Sequence, residues 1–417
     1  MFRFLSLAAV SAFVVVLAAC SGGASPTRSE PNFDATPTAL TNASAIARVS
    51  PPPGPADERL PIPLDVSFID ANRGWVLAVG DSTARGRPEA WLGNTTDGGA
   101  TWKALPPPEV TLDAVSRVRF VDASDGWLYG PDWLSTHNGG QTWQREPRDG
   151  EVLALEISGA SVWAVERTPC DPPAPKGPNQ RDQPPADCPL SLRTSNDAGR
   201  TWRAASFPGK LTLPPWQFGP MPRLIRQGRD DAWFLAAGQL FATHDGAASW
   251  TDLSGALPND GSTIGLAMTD TSHVWLLTAG VGATVMQSKF LYHSDDGGSS
   301  WQIVAGASFP GDPRDLHTMP TVGHPAGIVA AGGDRLFLLM GRNTLYGSFD
   351  VGHTWSPLIP RDLAFPGDGG VGPVVFANSE RGWAVAQPGI FRSIDGGATW
   401  TLTRLPRDFP PPVAIQP

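Results

Sequence analysis

Ser393-Ile394-Asp395-Gly396-Gly397-Ala398-Thr399-Trp400 is the last of seven copies of one octad. The earlier copies are Thr95 to Trp102 (TTDGGATW), Thr136 to Trp143 (THNGGQTW), Ser195 to Trp202 (SNDAGRTW), Thr243 to Trp250 (THDGAASW), Ser294 to Trp301 (SDDGGSSW) and Ser348 to Trp355 (SFDVGHTW). Their common form is Ser/Thr, any, Asp, any, Gly, any, Thr/Ser, Trp. Successive tryptophans stand 41, 59, 48, 51, 54 and 45 residues apart. Seven matches at that period mark a repeat architecture, in which each copy is one supersecondary unit.

The octad carries the chemistry of a hairpin turn. Asp97, Asp197, Asp245, Asp296, Asp350 and Asp395, with Asn138 in the second copy, join the leading hydroxyl as acceptors for turn amides. Glycine supplies a positive φ, the Thr begins the next strand, and Trp102, Trp143, Trp202, Trp250, Trp301, Trp355 and Trp400 pack across the hairpin. Ala247 stands where the other copies have glycine, so the fourth turn is expected to be strained or differently wound.

Outward from each octad lies a second motif. Trp75, Trp127, Trp163, Trp233, Trp275 and Trp383 sit in apolar strands such as RGWVLAVG and RGWAVAQ, with Phe337 in the matching place of the sixth unit. Of 16 tryptophans only Trp91, Trp133 and Trp216 remain unexplained by the repeat, so the Trp excess does not indicate a sugar cleft. Each unit reads as four short strands bounded by Gly, Pro, Asn and Asp. The fold class is therefore all-β: a seven-bladed β-propeller of four-stranded antiparallel blades over residues 61–408, with the octad between third and fourth strands. The seventh unit supplies its own four strands, to which Ala43 to Ser50 could add.

The octad resembles the Asp-box, or BNR repeat, of sialidases, sortilin-type receptors and photosystem II assembly-factor-like propellers. The resemblance covers residues 61–408 and implies that the box is a structural turn away from any active centre. Nothing in the chain points to photosynthesis.

Ahead of the repeat, Met1-Phe2-Arg3 and an apolar run from Phe4 to Ala19 read as an export signal over residues 1–19. Leu17-Ala18-Ala19-Cys20 resembles the lipobox of bacterial lipoproteins, which implies acylation at Cys20. Residues 20–60 are a Pro/Ser/Thr/Ala-rich tether and 409–417 a Pro-rich tail. The protein is thus expected to be exported and lipid-anchored, facing outside the cytoplasm. In an oxidising compartment Cys170 and Cys188 read as a disulfide rather than a metal pair.

Composition narrows the role. With 43 Pro, 46 Gly and 17% charged residues in 417, long charged helices are excluded, and a net charge of −9 disfavours nucleic acid. From strand aromatic to octad Trp the blades measure 27, 16, 39, 17, 26, 18 and 17 residues, so blades one, three and five carry long second-to-third loops. The longest between-blade loops follow blades three and five. Both loop classes lie on the face opposite the octads, where binding is expected. Candidate contacts there are Arg85, Arg87, Trp216, Phe218, Arg223, His317 and His324.

Enzymatic signals are thin. Arg59-Leu60-Pro61 matches a sialidase tripeptide, but it recurs at Arg404-Leu405-Pro406, and sialidases are six-bladed. A sialidase would also need a Tyr nucleophile from among Tyr129, Tyr292 and Tyr346. Propeller endoglucanases pair two seven-bladed domains across a cleft, and one propeller lacks the second wall. Asp81, Glu89, Asp312 and Asp315 are the carboxylates to consider for such chemistry. The spacing of His317 and His324 with Asp312 and Asp315 matches no zinc pattern. The reading is a monomeric, non-catalytic binding or assembly scaffold for a protein partner or a glycan, with no catalytic residue, cofactor or metal. A glycoside hydrolase or carbohydrate-binding propeller is the alternative.

Overall fold

A computed structural model of the chain describes residues 61–406 apart from 80–89, 107, 109, 111–114, 131, 169–187, 206, 208–210, 214–221, 284, 342–343, 360–372 and 387–388. Cys20, the tether, the tail and Cys170 lie outside the described residues.

Seven antiparallel sheets follow one another along the chain, over residues 62–104, 117–145, 151–205, 223–252, 262–307, 325–359 and 374–403. Each takes its four strands in sequence order, and these are the seven blades. Blade three gains a two-residue strand, Thr212–Leu213, paired with Cys188 and Pro189. The inner strands contact one another around the axis: Ile62–Phe68 meets Arg117–Phe120, and Glu151–Ser158 meets Arg223–Gln227.

The strand tryptophans explain why blades adhere. Trp75, Trp127, Trp163, Trp233, Trp275 and Trp383, with Phe337, lie on second strands and are all buried. Each faces the next blade. Trp75 stacks on Phe120 of blade two at 3.8 Å between ring centroids, and Trp127 meets Trp202 of blade three edge-on at 6.2 Å. Seven apolar clusters result, one at each junction. The octad tryptophans are therefore inter-blade core as well as hairpin packing. Trp133, unexplained by the repeat, joins the junction of blades two and three, 4.8 Å from Trp202.

The ring closes by the same contact. Trp383 of blade seven stacks on Phe68 of blade one at 3.4 Å, and its Nε1 donates to Gly98 O at 2.9 Å. Trp75 and Trp233 donate likewise to Gly139 O and Gly297 O in their next blades. Blade seven is built from its own strands, Val374–Phe376 through Thr401–Thr403, as the repeat count implies.

Candidate functional site

The octads lie between third and fourth strands in all seven blades, and their polar groups are spent internally. In blade one the Thr95 hydroxyl donates to Asp97 Oδ1 (2.8 Å) and accepts from the amide of Gly99 (2.9 Å). Asp97 in turn accepts from the amide and hydroxyl of Thr101 (2.9 and 2.6 Å). The Gly98 amide donates to Asn72 O, which docks the octad on the first-to-second turn of its own blade. Octads and first-to-second turns therefore share one face. Two sequence expectations need correction. The Thr belongs to the turn, not to the next strand, because Asp97 holds it; strand four begins after Trp102, at Lys103.

The fourth turn is wound like the rest: Gly246 and Ala247 have φ of 72° and 68°. Strain is shared among three turns, since Ala198 (58°) and Val351 (60°) also occupy the left-handed region, at the fourth octad position. At the fifth position glycine has a second cause. A Cβ on Gly199 would lie 2.1 Å from Trp127 of the preceding blade, and one on Gly397 would lie 2.2 Å from Phe337. A depression of about 540 Å³ lies on the octad face between blades four and five, lined by Asp231, His244, Thr271 and Asp296 among others. Its acids are engaged, Asp231 by His244 (2.7 Å) and Asp296 by Ser300 (2.7 and 2.8 Å), which leaves little to bind a ligand.

Charge gathers along the inner strands around the axis of the ring. Asp65, on the inner strand of blade one, is fully buried and accepts from the amides of Val66 (3.0 Å) and Val118 (2.9 Å) and from Arg119 Nη1 (2.7 Å). Burial works against charge on Arg119, but Asp65 outweighs it and holds the guanidinium firmly protonated. Burial pushes the Glu156 carboxyl up, against the pull of Arg119, Arg226 and Arg223. Arg226 is brought down to about 10 by burial, lies 4.2 Å over the Trp163 ring, and donates to Ser161 O (3.0 Å) and Ser161 Oγ (2.9 Å).

Two arginines stand apart from this satisfied group. Arg117 and Arg223 open their inner strands, at the end remote from the octads. Burial lowers Arg223 and Arg117 lowers it further, against the opposing pull of Glu156, so the two cations sense each other across the channel mouth. Arg223 reaches far from its own blade: a Cβ on Gly327, in the inner strand of blade six, would sit 3.9 Å from its Nη2. Neither arginine forms an ion pair within 4.0 Å of a carboxylate among the described residues, although Glu156 acts on Arg223 from farther away. The same face carries exposed apolar side chains: Val281 near the end of the second strand of blade five, Val285 in the loop that follows it, and Leu316 and Val322 in the loop to blade six.

The seven sequence candidates divide. Arg85, Arg87, Trp216 and Phe218 lie outside the described residues. Arg223 is at the channel mouth, although it opens a strand and is not a loop residue. His317, with φ of 56°, is exposed and pairs with Asp315 at 2.9 Å, while His324 contacts Gln287 at 3.2 Å, so these two histidines serve separate local contacts. Asp312 is taken by Arg314 and Ser308. Cys188 is buried at the start of the third strand of blade three. Sequence reading missed Arg117, Arg119, Glu156 and Arg226. The one signal was the alternation of Arg117 and Arg119 on an inner strand, which reads as an ordinary solvated face until the ring is closed; Arg226 stands three residues from Arg223 in an unshifted strand and continues no such pattern.

Tyr129 and Tyr292 are not set up as nucleophiles. Tyr129 is buried and its pKa raised by that burial. Tyr292 donates to Asp260, and burial together with that bond raises its pKa. Among the described residues only Arg314 stands near it as a cation, 3.7 Å from Asp260, where a sialidase would gather three arginines.

Known structures share the architecture. A structure of YCF48 bound to D1 peptide matches with a TM-score of 0.54 at 18% identity, covering 81% of this chain and 94% of that one. YCF48 from Cyanidioschyzon merolae matches with a TM-score of 0.45 at 17% identity, over 71% and 87%. An ancestral GH74 enzyme matches with a TM-score of 0.54 at 11% identity, over 84% of this chain and 47% of that one, so the chain spans about half the enzyme's length. These likenesses are of fold. No family model matches the chain, and no curated protein does.

Proposed function

We propose that the chain is a non-catalytic, membrane-anchored binding scaffold that recognises an acidic segment of a protein partner on the face opposite the octads. The observation that carries this reading is the pair Arg117 and Arg223, two cations at the channel mouth that form no ion pair with a described carboxylate, the acid acting on Arg223 being Glu156, which burial pushes towards its neutral form. Val281, Val285, Leu316 and Val322 supply apolar contact on the same face. Arg is among the residue types that dominate interface energy once desolvated, and the guanidinium fork suits a carboxylate. Arg85, Arg87, Trp216 and Phe218, which the sequence puts in loops of this face, extend the proposed surface. YCF48, of similar fold, is bound to a peptide, which supports a protein ligand over a glycan. The glycosidase alternative is weakened by the engagement of Asp65 and by phenols held neutral at Tyr129 and Tyr292.

Selection from a displayed random-peptide library tests this. Bound peptides should be enriched in Asp and Glu, bind more weakly as salt rises, and switch towards Lys and Arg when Arg117→Glu and Arg223→Glu are combined. Enrichment that ignores the double variant, or enrichment of glycans on an array instead, contradicts the reading.

The anchor and the disulfide belong to the same proposal. Cys20→Ser should release the protein from membranes or leave the precursor uncleaved, and unchanged mature membrane association would exclude acylation. Intact mass with and without reductant should show one bond between Cys170 and Cys188; two alkylatable thiols in exported protein would exclude it.

A further inference from the structure

We infer that blade five carries, on the octad face, a site for a divalent transition-metal ion of the zinc class, built from His273 Nε2, His293 Nδ1 and a carboxylate oxygen of Asp295. The repeat itself supplies the argument. In every blade the fold brings together three positions: the residue two before the second-strand aromatic, the third-strand residue paired with that aromatic, and the second residue of the octad. Blades two and four show how close the first and last of these come. Asp125 and His137 lie 2.7 Å apart in one, and Asp231 and His244 lie 2.7 Å apart in the other. Their middle positions are Ser135, opposite Trp127, and Ala242, opposite Trp233.

Blade five exchanges the acid and the imidazole and adds a third ligand. His273 takes the first position, Asp295 the last, and His293, opposite Trp275, the middle. No other blade has a ligand type at all three: blade one has Arg73, Asn94 and Thr96, and blade seven has Arg381, Arg392 and Ile394.

The geometry is that of ligands around a gap. Asp295 Oδ1 is 3.7 Å from His273 Nε2 and 3.5 Å from His293 Nδ1, too far for strong hydrogen bonds, and one ligand atom from each residue lies within 4.8 Å of the others. A tetrahedral zinc with bonds of about 2.0–2.1 Å sets its donors roughly 3.4 Å apart, so small side-chain rotations close the site. Two nitrogens and one oxygen suit such an ion, and the fourth position faces solvent past Asp295 and His273, both exposed.

The supporting shell is in place behind His273. His273 Nδ1 lies 2.8 Å from both oxygens of Asp270, which also accepts from the amides of Ser272 and His273. That arrangement commits Nδ1–H to the carboxylate and leaves the Nε2 lone pair turned towards Asp295, the carboxylate–histidine pattern found behind metal ligands. His293 is fixed by stacking on Trp275 at 4.4 Å, nearly parallel to His273 at 5.6 Å. Its Nε2 is buried without a hydrogen-bond partner, so Nδ1 is the nitrogen open to an ion. The neighbouring octad acid, Asp296, is spent on Ser294 and Ser300.

Zinc titration of the chelator-treated mature chain by calorimetry, with cobalt absorption reporting coordination, provides the test. One ion per chain should bind and raise the melting temperature. His273→Ala or Asp295→Ala should weaken binding at least tenfold without changing the metal-free melting temperature, and Asp270→Asn should weaken it about 10–100-fold. His137→Ala and His244→Ala should leave it unchanged. Absence of saturable one-to-one binding, binding that survives both His273→Ala and Asp295→Ala, or equal loss in His244→Ala would overturn the assignment.

Discussion

Each octad acid closes its turn by accepting three hydrogen bonds. In the last copy Asp395 Oδ1 takes the Thr399 amide (2.9 Å) and the Ser393 hydroxyl (2.8 Å), and Oδ2 takes the Thr399 hydroxyl (2.6 Å). Such bonds favour the charged form. The hydroxyls of Thr101, Thr201 and Ser249 are the first cause holding Asp97, Asp197 and Asp245 down to about 2. A carboxylate lowered in the folded state adds stability above its ordinary value near 3.8, and that stability is lost as pH falls towards about 2. Acid unfolding is therefore expected in that window.

Asn138 shows what the site tolerates: its Oδ1 accepts from the Thr142 amide at 2.9 Å and its Nδ2 donates to the Thr142 hydroxyl at 2.8 Å. Asp395→Asn should keep most of the stability, while Asp395→Ala should cost about 1–3 kcal/mol by leaving donors unmet. Urea denaturation of both variants checks this, and equal losses would contradict it. These acceptor roles were legible from side-chain chemistry alone. The positive φ at the fourth octad position was not assigned, although glycine fills it in five copies, because Ala198 and Val351 mask the pattern.

Among strands and loops, Lys289 is a buried cation that no motif in the sequence marks. It lies on the third strand of blade five, fully buried, and its amine donates to Pro320 O (2.8 Å) and Thr321 O (3.3 Å) in the loop leading to blade six. No carboxylate balances it among the described residues, and burial pushes its amine down to about 8. Because the folded value is below the ordinary 10.5, the unfolded chain holds the proton over that interval and stability rises with pH between about 8 and 10.5.

Lys289→Met should abolish that rise and gain roughly 1–3 kcal/mol at pH 7, since an unpaired buried charge is replaced by an apolar chain of similar length. Thr321 is exposed, so water can take over its carbonyl. Thermal melts from pH 7 to 10.5 decide, and a destabilised variant with the pH slope intact would refute this account. Second strands were legible because an aromatic in an apolar run marks them seven times. Lys289 was not, because a lysine on a short strand reads as an outward-facing residue until the next blade's loop covers it.

Over the whole molecule, the fold follows from one contact repeated around a ring, and the Trp383–Phe68 stack shows that the ends of the repeat meet by that same contact. The octad face is chemically quiet, with most acids and hydroxyls satisfied locally, and blade five is its exception. The other face has Arg117 and Arg223, neither held in a close ion pair with a described carboxylate, at the channel mouth and apolar Val281, Val285, Leu316 and Val322 around it. Loop lengths in the sequence single out the same face as the proposed surface. The arginines did not stand out, because only ring closure turns residues from blades two and four into neighbours.

Site-specific photo-crosslinking in the native cells decides whether the face opposite the octads meets a protein. A photoreactive residue at Val285 or Val322, both exposed opposite the octads, is set against one at Phe349 or Ile394, exposed within octads. The account predicts one protein partner captured from Val285 and Val322, lost on combining Arg117→Ala with Arg223→Ala, and none from Phe349 or Ile394. Capture from the octad positions alone, or capture indifferent to the two arginines, would contradict it.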